Sequence, residues 1–162
     1  MAIRTLKAVL VGFVALMCLM YALQNMVNLD SAYVFVKTMV TREGQVLYPE
    51  TFGFAIHAPW LIWTILWIII GSEITAGLVS AKGAWDLWTA RTGGEFEQAK
   101  TWAIVGAGLA LVVWFGYFTV IGGAYLQMWQ TEAGANSLQG AFQISISSGL
   151  VLLFVNMRDA PL

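Results

Sequence analysis

The chain has 162 residues, of which 59% are hydrophobic and only 10% are charged. An ordinary soluble domain carries about 25% charged residues, so this composition is typical of a membrane protein with several spans. The formal net charge of −1, without a stripe of basic residues, argues against a nucleic-acid partner. The single cysteine, Cys18, excludes an intrachain disulfide and a metal site built on several thiolates.

The first apolar segment begins after the basic residues Arg4 and Lys7 and extends over residues 8–27. It is longer than the roughly 7–15 residues of a signal-peptide core, and no clear small-x-small cleavage site follows it. About 20 residues, at about 1.5 Å each, cross the hydrocarbon of a bilayer. We therefore expect a retained transmembrane helix.

The segment over residues 28–57 is too long for a simple turn. Its apolar positions recur with helical spacing over residues 30–44, which predicts a short amphipathic helix. Asp30 or Ser31 is suited to begin that helix, and Gly44 is suited to end it. The pattern allows this helix to lie on the outer membrane surface or on the bundle itself.

Three further apolar segments follow, at residues 58–80, 101–126 and 137–157. The last of them is the least apolar, because glutamine and serine side chains dilute it. No linker or soluble segment divides the chain, so we expect a single transmembrane domain over residues 1–162. The predicted fold class is all-α, an integral membrane four-helix bundle with the short amphipathic helix in the first periplasmic loop.

The orientation in the membrane is predicted from the lysines and arginines, which favour cytoplasmic loops. Six of them fall on one side of the predicted bundle and two on the other. We therefore expect both termini in the cytoplasm. The six are Arg4, Lys7, Lys82, Arg91, Lys100 and Arg158, and the two are Lys37 and Arg42.

Glu73 is a lone carboxylate in the second span, and no lysine or arginine lies inside any apolar segment to neutralise it. A charge there costs about 2.5–3.5 kcal/mol on insertion scales, so we take Glu73 as a candidate functional residue. Ser72 and Gly77 lie on small-residue faces beside it, so we expect this side to meet another helix. Ser147 and Ser148, on the fourth span, are the polar side chains matched to its depth.

Three interpretations of Glu73 remain open. It is a neutral carboxyl hydrogen-bonded between helices, a contact to a partner subunit, or part of a proton or ion relay. Burial without a cation favours the neutral form. A relay usually needs a second titratable group at depth, and the sequence offers none, so Glu73 marks an interface more than an active site.

His57 is the only histidine, and it precedes the second span. One histidine can serve as an axial ligand of haem or bacteriochlorophyll, although an interfacial histidine near a helix start is the commoner case. Metal-dependent hydrolysis needs three protein ligands, and a catalytic triad needs a histidine beside its nucleophile. We therefore expect no enzyme activity, no metal site and no cofactor, while a bound haem, pigment or quinone stays open.

The third span is rich in small residues, which let helices approach closely in lipid. We expect it to pack tightly within the bundle or against a neighbour. The candidate packing positions are Gly106, Gly108, Ala110, Gly122 and Gly123.

Three stretches together resemble a known family. They are residues 71–88, 113–132 and 154–159, which read GSEITAGLVSAKGAWDLW, VWFGYFTVIGGAYLQMWQTE and FVNMRD. Over essentially its whole length the chain is similar to an uncharacterised bacterial family of predicted small integral membrane proteins, the domain-of-unknown-function family 2165. The resemblance implies a four-helix inner-membrane protein of a Gram-negative bacterium, and it implies no activity and no catalytic or binding residue.

The sequence as a whole favours a non-catalytic accessory or structural subunit of a larger bacterial inner-membrane complex, with respiratory and photosynthetic assemblies as candidate hosts. Its expected partners are the lipid bilayer and other integral membrane subunits. Two alternatives stay open: a small proton-coupled transporter that uses Glu73, and a membrane protein that binds a pigment or a quinone.

Overall fold

The computed structural model describes residues 1–48 and 50–159, and neither range contains a strand. Four of its helices are long and apolar enough to cross a membrane. The predicted all-α architecture with four spans is therefore confirmed. The elements in chain order are α1 (Ala2–Val27), α2 (Leu29–Thr41), α3 (Pro59–Ala90), α4 (Lys100–Leu111), a π-helix (Val112–Tyr125) that continues α4, a 3₁₀ turn (Met128–Gln130) and α5 (Glu132–Asn156).

Among the described residues α3 is the longest helix, and it continues beyond the predicted span, residues 58–80, to Ala90. Its 32 residues span about 48 Å at about 1.5 Å each, more than the hydrocarbon thickness of about 30 Å. Lys82 Nζ donates to the Asp86 carboxylate at 2.6 Å, an i,i+4 pair that supports the extension, and Leu87 continues the buried face. Residues 81–90 are more polar than those before them, so they form part of the helix but lie outside the predicted apolar span.

α1 and α2 pack one after the other along α3. α1 covers the half of α3 that contains Gly77, a residue that leaves no room for a Cβ against α1. α2 covers the other half, where Tyr33 stacks on Trp63 with ring centroids 4.5 Å apart. The Ile56 N–H, just before α3, donates to the Val40 carbonyl at 2.9 Å. The helix of the first loop therefore lies on the bundle, one of the two positions that its pattern allows.

α3 and α4 approach each other at backbone distance. A Cβ added at Gly106 would lie 2.6 Å from the Ser80 amide nitrogen. One added at Gly83 would lie 2.7 Å from the Trp102 carbonyl carbon. Close contact of small residues is a common way for helices to associate in lipid, where van der Waals packing takes the place of the hydrophobic effect.

The third span changes its hydrogen-bond spacing halfway along. In its second half the Thr119 hydroxyl donates to the Trp114 carbonyl at 3.3 Å, five residues back. At its end the Leu126 N–H donates to the Ile121 carbonyl at 2.8 Å, again five residues back. π-helices are rare, mostly a single turn long, and frequent at functional sites. At 14 residues, this π-helix is much longer than the usual single turn.

The start of α1 and the described residues that follow α5 meet at one end of the bundle, which we call the terminal end, in a cluster of charges. Asp159 Oδ2 accepts hydrogen bonds from Lys7 Nζ and Lys100 Nζ, each at 2.7 Å. The same two lysines donate to the Met157 carbonyl, at 2.6 and 2.8 Å respectively. Both lysines are buried, so opposite charges join α1 and α4 to the chain after α5.

Glu97 completes this ion cluster from the loop between α3 and α4. Its Oε1 accepts from Lys100 Nζ at 2.8 Å and from the Asp159 N–H at 3.0 Å. The hydrogen bond from Lys100 lowers the pKa of Glu97. Burial acts to raise the pKa of Asp159, but the hydrogen bonds from Lys100 and Lys7 outweigh it, and the pKa lies below its usual value.

Candidate functional site

Glu73 lies near the middle of α3, with 1% of its surface exposed. Its Oε2 accepts a hydrogen bond at 3.0 Å from Nδ2 of Asn25, in the last turns of α1. A side-chain amide can donate to a carboxyl oxygen in either protonation state, so Asn25 serves the neutral and the charged form alike. The carboxyl is thus bonded inside the chain, between two helices.

Neither of the two serines matched to Glu73 by depth, Ser147 and Ser148, is hydrogen-bonded to it. Ser147 is exposed, and its hydroxyl donates to the Gln143 carbonyl at 2.9 Å. Ser148 is fully buried, yet its hydroxyl has no hydrogen-bond partner among the described residues. Both serines lie on α5, whereas the face of α3 that carries Glu73 is covered by α1.

The two small-residue faces beside Glu73 turn toward different helices. The Ser72 hydroxyl shares a hydrogen bond with the Tyr117 hydroxyl of the π-helix, at 3.2 Å. A Cβ added at Gly77 would lie 2.6 Å from Leu19 Cγ of α1. Ser72 therefore belongs to the contact with the third span, and Glu73 and Gly77 belong to the contact with α1.

The five small residues of the third span also serve different contacts. Gly106 lies against the α3 backbone, and Ala110 is buried in the central core. Gly108 faces α5, where an added Cβ would make ordinary contact at 3.8 Å. Gly122 lies against the 3₁₀ turn, and Gly123 lies against α5.

A largely apolar cavity of about 370 Å³ lies between α2, α3 and the π-helix. At one end it is lined by Asn25 and Tyr117, the partners of the adjacent residues Glu73 and Ser72 in the middle of α3. At the other end it reaches Ile56, just before α3 begins. Each described residue that lines it is uncharged. Its volume is within the range of small-molecule pockets, about 300–1,000 Å³.

A row of polar side chains runs along the exposed side of α5. Gln139, Gln143 and Ser147 follow one another at four-residue steps, and we call this row the α5 stripe. Gln143 lies one residue from the midpoint of the helix. Within residues 1–48 and 50–159, the side-chain amides of Gln139 and Gln143 make no hydrogen bond. Gly140 lies on the same side, with open space where a Cβ would be.

A family described as predicted small integral membrane proteins, DUF2165, has a sequence profile that matches residues 3–158. The chain belongs to this family. The matched range includes nearly all of α1 and the whole of α5. The family profile therefore covers all four spans of this small integral membrane protein. No curated protein and no solved structure matches it.

His57 of this small integral membrane protein is exposed, two residues before Pro59 begins α3. Over the ranges that the structure describes, no three histidine, cysteine, aspartate or glutamate side chains come together in a way that could hold a metal ion. An axial-ligand role for His57 stays a prediction.

Asn25 is the residue that the sequence analysis missed, although its position gave a signal. It follows Cys18 and Ala22 by seven and three residues, and so continues the buried face of α1. Depth alone does not pair the two residues, because Asn25 lies near the end of its span and Glu73 in the middle of the next one. In the structure α2 packs against the first part of α3 and α1 against the rest. The end of α1 therefore lies opposite the middle of α3, and Asn25 reaches Glu73.

Proposed function

We propose that this small integral membrane protein is a non-catalytic accessory subunit of a larger complex in the inner membrane of a bacterium, with both termini in the cytoplasm. The observation that carries the proposal is Gln143, whose exposed side-chain amide lies at the middle of a membrane-spanning helix and has no hydrogen-bond partner among the described residues. α5 is also the least buried of the four spans.

An amide at that position is out of place against lipid. Moving an amide from water to a hydrocarbon, where it finds no hydrogen bond, costs about 4–8 kcal/mol. Glutamine, serine and glycine on one helix face are instead typical of helix–helix contacts in membranes. Gly140 supplies the room for a second backbone beside Gln143. We therefore infer that the α5 stripe is covered by a transmembrane helix of another polypeptide.

The two other interpretations of Glu73 receive less support from the geometry. Its side chain is buried against Asn25, so it offers no surface to a partner subunit. A carrier would need Glu73 to exchange protons with both sides of the membrane. Its hydrogen-bond partner among the described residues is Asn25, which does not titrate. The subunit proposal therefore rests on α5 and not on Glu73.

The test is recovery of the tagged chain from native membranes in a mild detergent. We expect a second membrane polypeptide at a fixed stoichiometry, and we expect Gln143→Leu to release it. Phe142→Leu is the matched control, because Phe142 is exposed on a neighbouring face of α5 and carries no polar group. Recovery only as a monomer or homo-oligomer contradicts the proposal, as does a partner retained equally by both variants.

A further inference from the structure

The cavity between α2, α3 and the π-helix is separate from the α5 stripe and has its own chemistry. Its walls are aliphatic and aromatic side chains, among them Phe35, Phe118 and Tyr125. The two side chains that bring polar groups to its inner end are Asn25 and Tyr117. A pocket that is mostly apolar, with a few convergent polar groups, is the usual form of a small-molecule site.

The polar end retains hydrogen-bonding capacity. Asn25 gives one N–H to Glu73, and an amide has a second N–H and a carbonyl oxygen beyond that bond. The Tyr117 hydroxyl shares one hydrogen bond with Ser72, and a hydroxyl can both donate and accept. A ligand that reaches this end therefore meets neutral donors and acceptors from two different helices.

The absence of charge in the lining selects the kind of head group. Among the described residues that line the cavity there is no lysine, arginine, aspartate or glutamate, so an ionic head would be desolvated there without a counter-charge. A neutral ring with carbonyl or hydroxyl oxygens suits Asn25 and Tyr117, and the aromatic side chains suit a flat ring. An apolar tail suits the remainder.

We propose that this cavity binds one molecule of the isoprenoid quinone class, with its ring beside Asn25 and Tyr117 and its tail along α2 and α3. This site is independent of the subunit function, since the residues of the α5 stripe do not line the cavity.

A phospholipid is the other amphiphile that a membrane supplies, and it fits the lining less well. Its head group would lie at the membrane surface, on the side of Arg42, whose guanidinium donates to the Tyr125 carbonyl at 3.0 Å. The methyl end of its acyl chain would then lie against Asn25 and Tyr117, whose hydrogen-bonding capacity it cannot use. A quinone would place its ring oxygens at the polar end and its apolar tail against the apolar side chains of the remainder.

The first test is a titration of the purified chain with decylubiquinone, followed by quenching of its tryptophan fluorescence. The chain has eight tryptophans, and Trp63 lies at the contact between α2 and α3. We expect saturation at one quinone per chain. Ala32→Phe adds a ring to the cavity wall and should weaken binding by at least about tenfold, as a blocked pocket does.

Ala124→Phe is the matched control, because Ala124 lies on the π-helix but is exposed outside the cavity. It should bind as the unmodified chain does. Tyr117→Phe keeps the ring and removes one hydroxyl, and it should weaken binding by about fivefold, the usual worth of one hydrogen bond. It also provides a readout if Ala32→Phe fails to fold, as judged by circular dichroism and gel filtration.

Three results would overturn the proposal. One is quenching that rises without saturation in every variant, which is simple partition into detergent. Another is equal affinity in Tyr117→Phe, a folded Ala32→Phe and the control. The third is one phospholipid per chain in solvent extracts, lost in Ala32→Phe and not displaced by decylubiquinone, which assigns the cavity to lipid.

Discussion

The hydrogen bond between Asn25 and Glu73 joins α1 to α3 inside the membrane-spanning part of the chain. Hydrogen bonds between transmembrane helices contribute only about 0.6 kcal/mol on average, because separated helices also find partners. Loss of one partner is more costly, since it leaves a buried polar group with its full desolvation penalty of about 1–3 kcal/mol. The pair therefore acts mainly against other arrangements of α1 on α3, which would leave Glu73 unbonded.

We expect Asn25→Leu to destabilise the chain by about 1–3 kcal/mol, because Glu73 stays buried without its donor. The double variant Asn25→Leu/Glu73→Leu removes both polar groups and should lie within about 1 kcal/mol of the original chain. Glu73→Gln, which keeps a side-chain oxygen as acceptor, should change stability little. Unfolding by dodecyl sulfate in mixed micelles, followed by circular dichroism, measures all three. Equal losses in the single and double leucine variants would show that the hydrogen bond does not matter.

At the scale of elements, α3 is the helix around which the others are placed. α1 and α2 cover one side of it in succession, and α4 meets its other side at backbone distance. The contact with α4 depends on glycine, because Gly106 and Gly83 lie where any side chain would meet the backbone of the facing helix. Two packed helices with this spacing cannot absorb a methyl group by moving one side chain alone.

Gly106→Ala and Gly108→Ala separate packing from helix propensity, because the two residues lie on one helix and face different neighbours. Gly106→Ala should destabilise by about 1–3 kcal/mol, since its Cβ would meet the Ser80 backbone. Gly108→Ala should be neutral or stabilising by up to about 1 kcal/mol, because its Cβ meets Leu152 at ordinary contact distance and alanine favours helix. Thermal unfolding in detergent distinguishes them. A similar effect in both variants would mean that α3 and α4 are not in backbone contact.

At the scale of the whole molecule, the number of spans and the fold class were predictable because hydropathy reports both directly. The contacts between spans were less predictable, because hydropathy does not report which helix faces pack together. Depth along the membrane matches Glu73 to Ser147 and Ser148. In the structure α1 covers the face of Glu73, and the Ser148 hydroxyl has no partner among the described residues. The π-helix has no signature in hydrophobic spacing, so the cavity beside it was also out of reach.

The ion cluster at the terminal end was not predicted, although the sequence analysis used two of its lysines to predict the orientation. In the sequence, Lys7 and Lys100 indicate the orientation of the chain in the membrane, and nearby acidic residues contribute little to that signal. In the structure Lys7 also donates to the Val155 and Met157 carbonyls, at 3.4 and 2.6 Å, where the end of α5 leaves carbonyls unsatisfied. Asp159 is the acceptor that the two lysines share, so it links the first, third and fourth spans.

Asp159→Asn should therefore destabilise the bundle by about 3 kcal/mol, because it leaves two buried ammonium groups with less counter-charge. The pKa of Asp159 in the folded chain lies below its usual value of about 3.9, so the folded state binds the proton less well than the unfolded state. This contribution is complete above that usual pKa and is lost as the pH falls through the folded value. The unfolding midpoint in detergent should thus fall on acidification below about pH 4, and less steeply in Asp159→Asn.

Asp86→Asn is the matched control, because it breaks the exposed pair with Lys82. It should cost less than about 0.5 kcal/mol of stability and should keep the acid dependence of the original chain. If both variants lose the same stability and keep the same pH profile, the cluster does not hold the terminal end together.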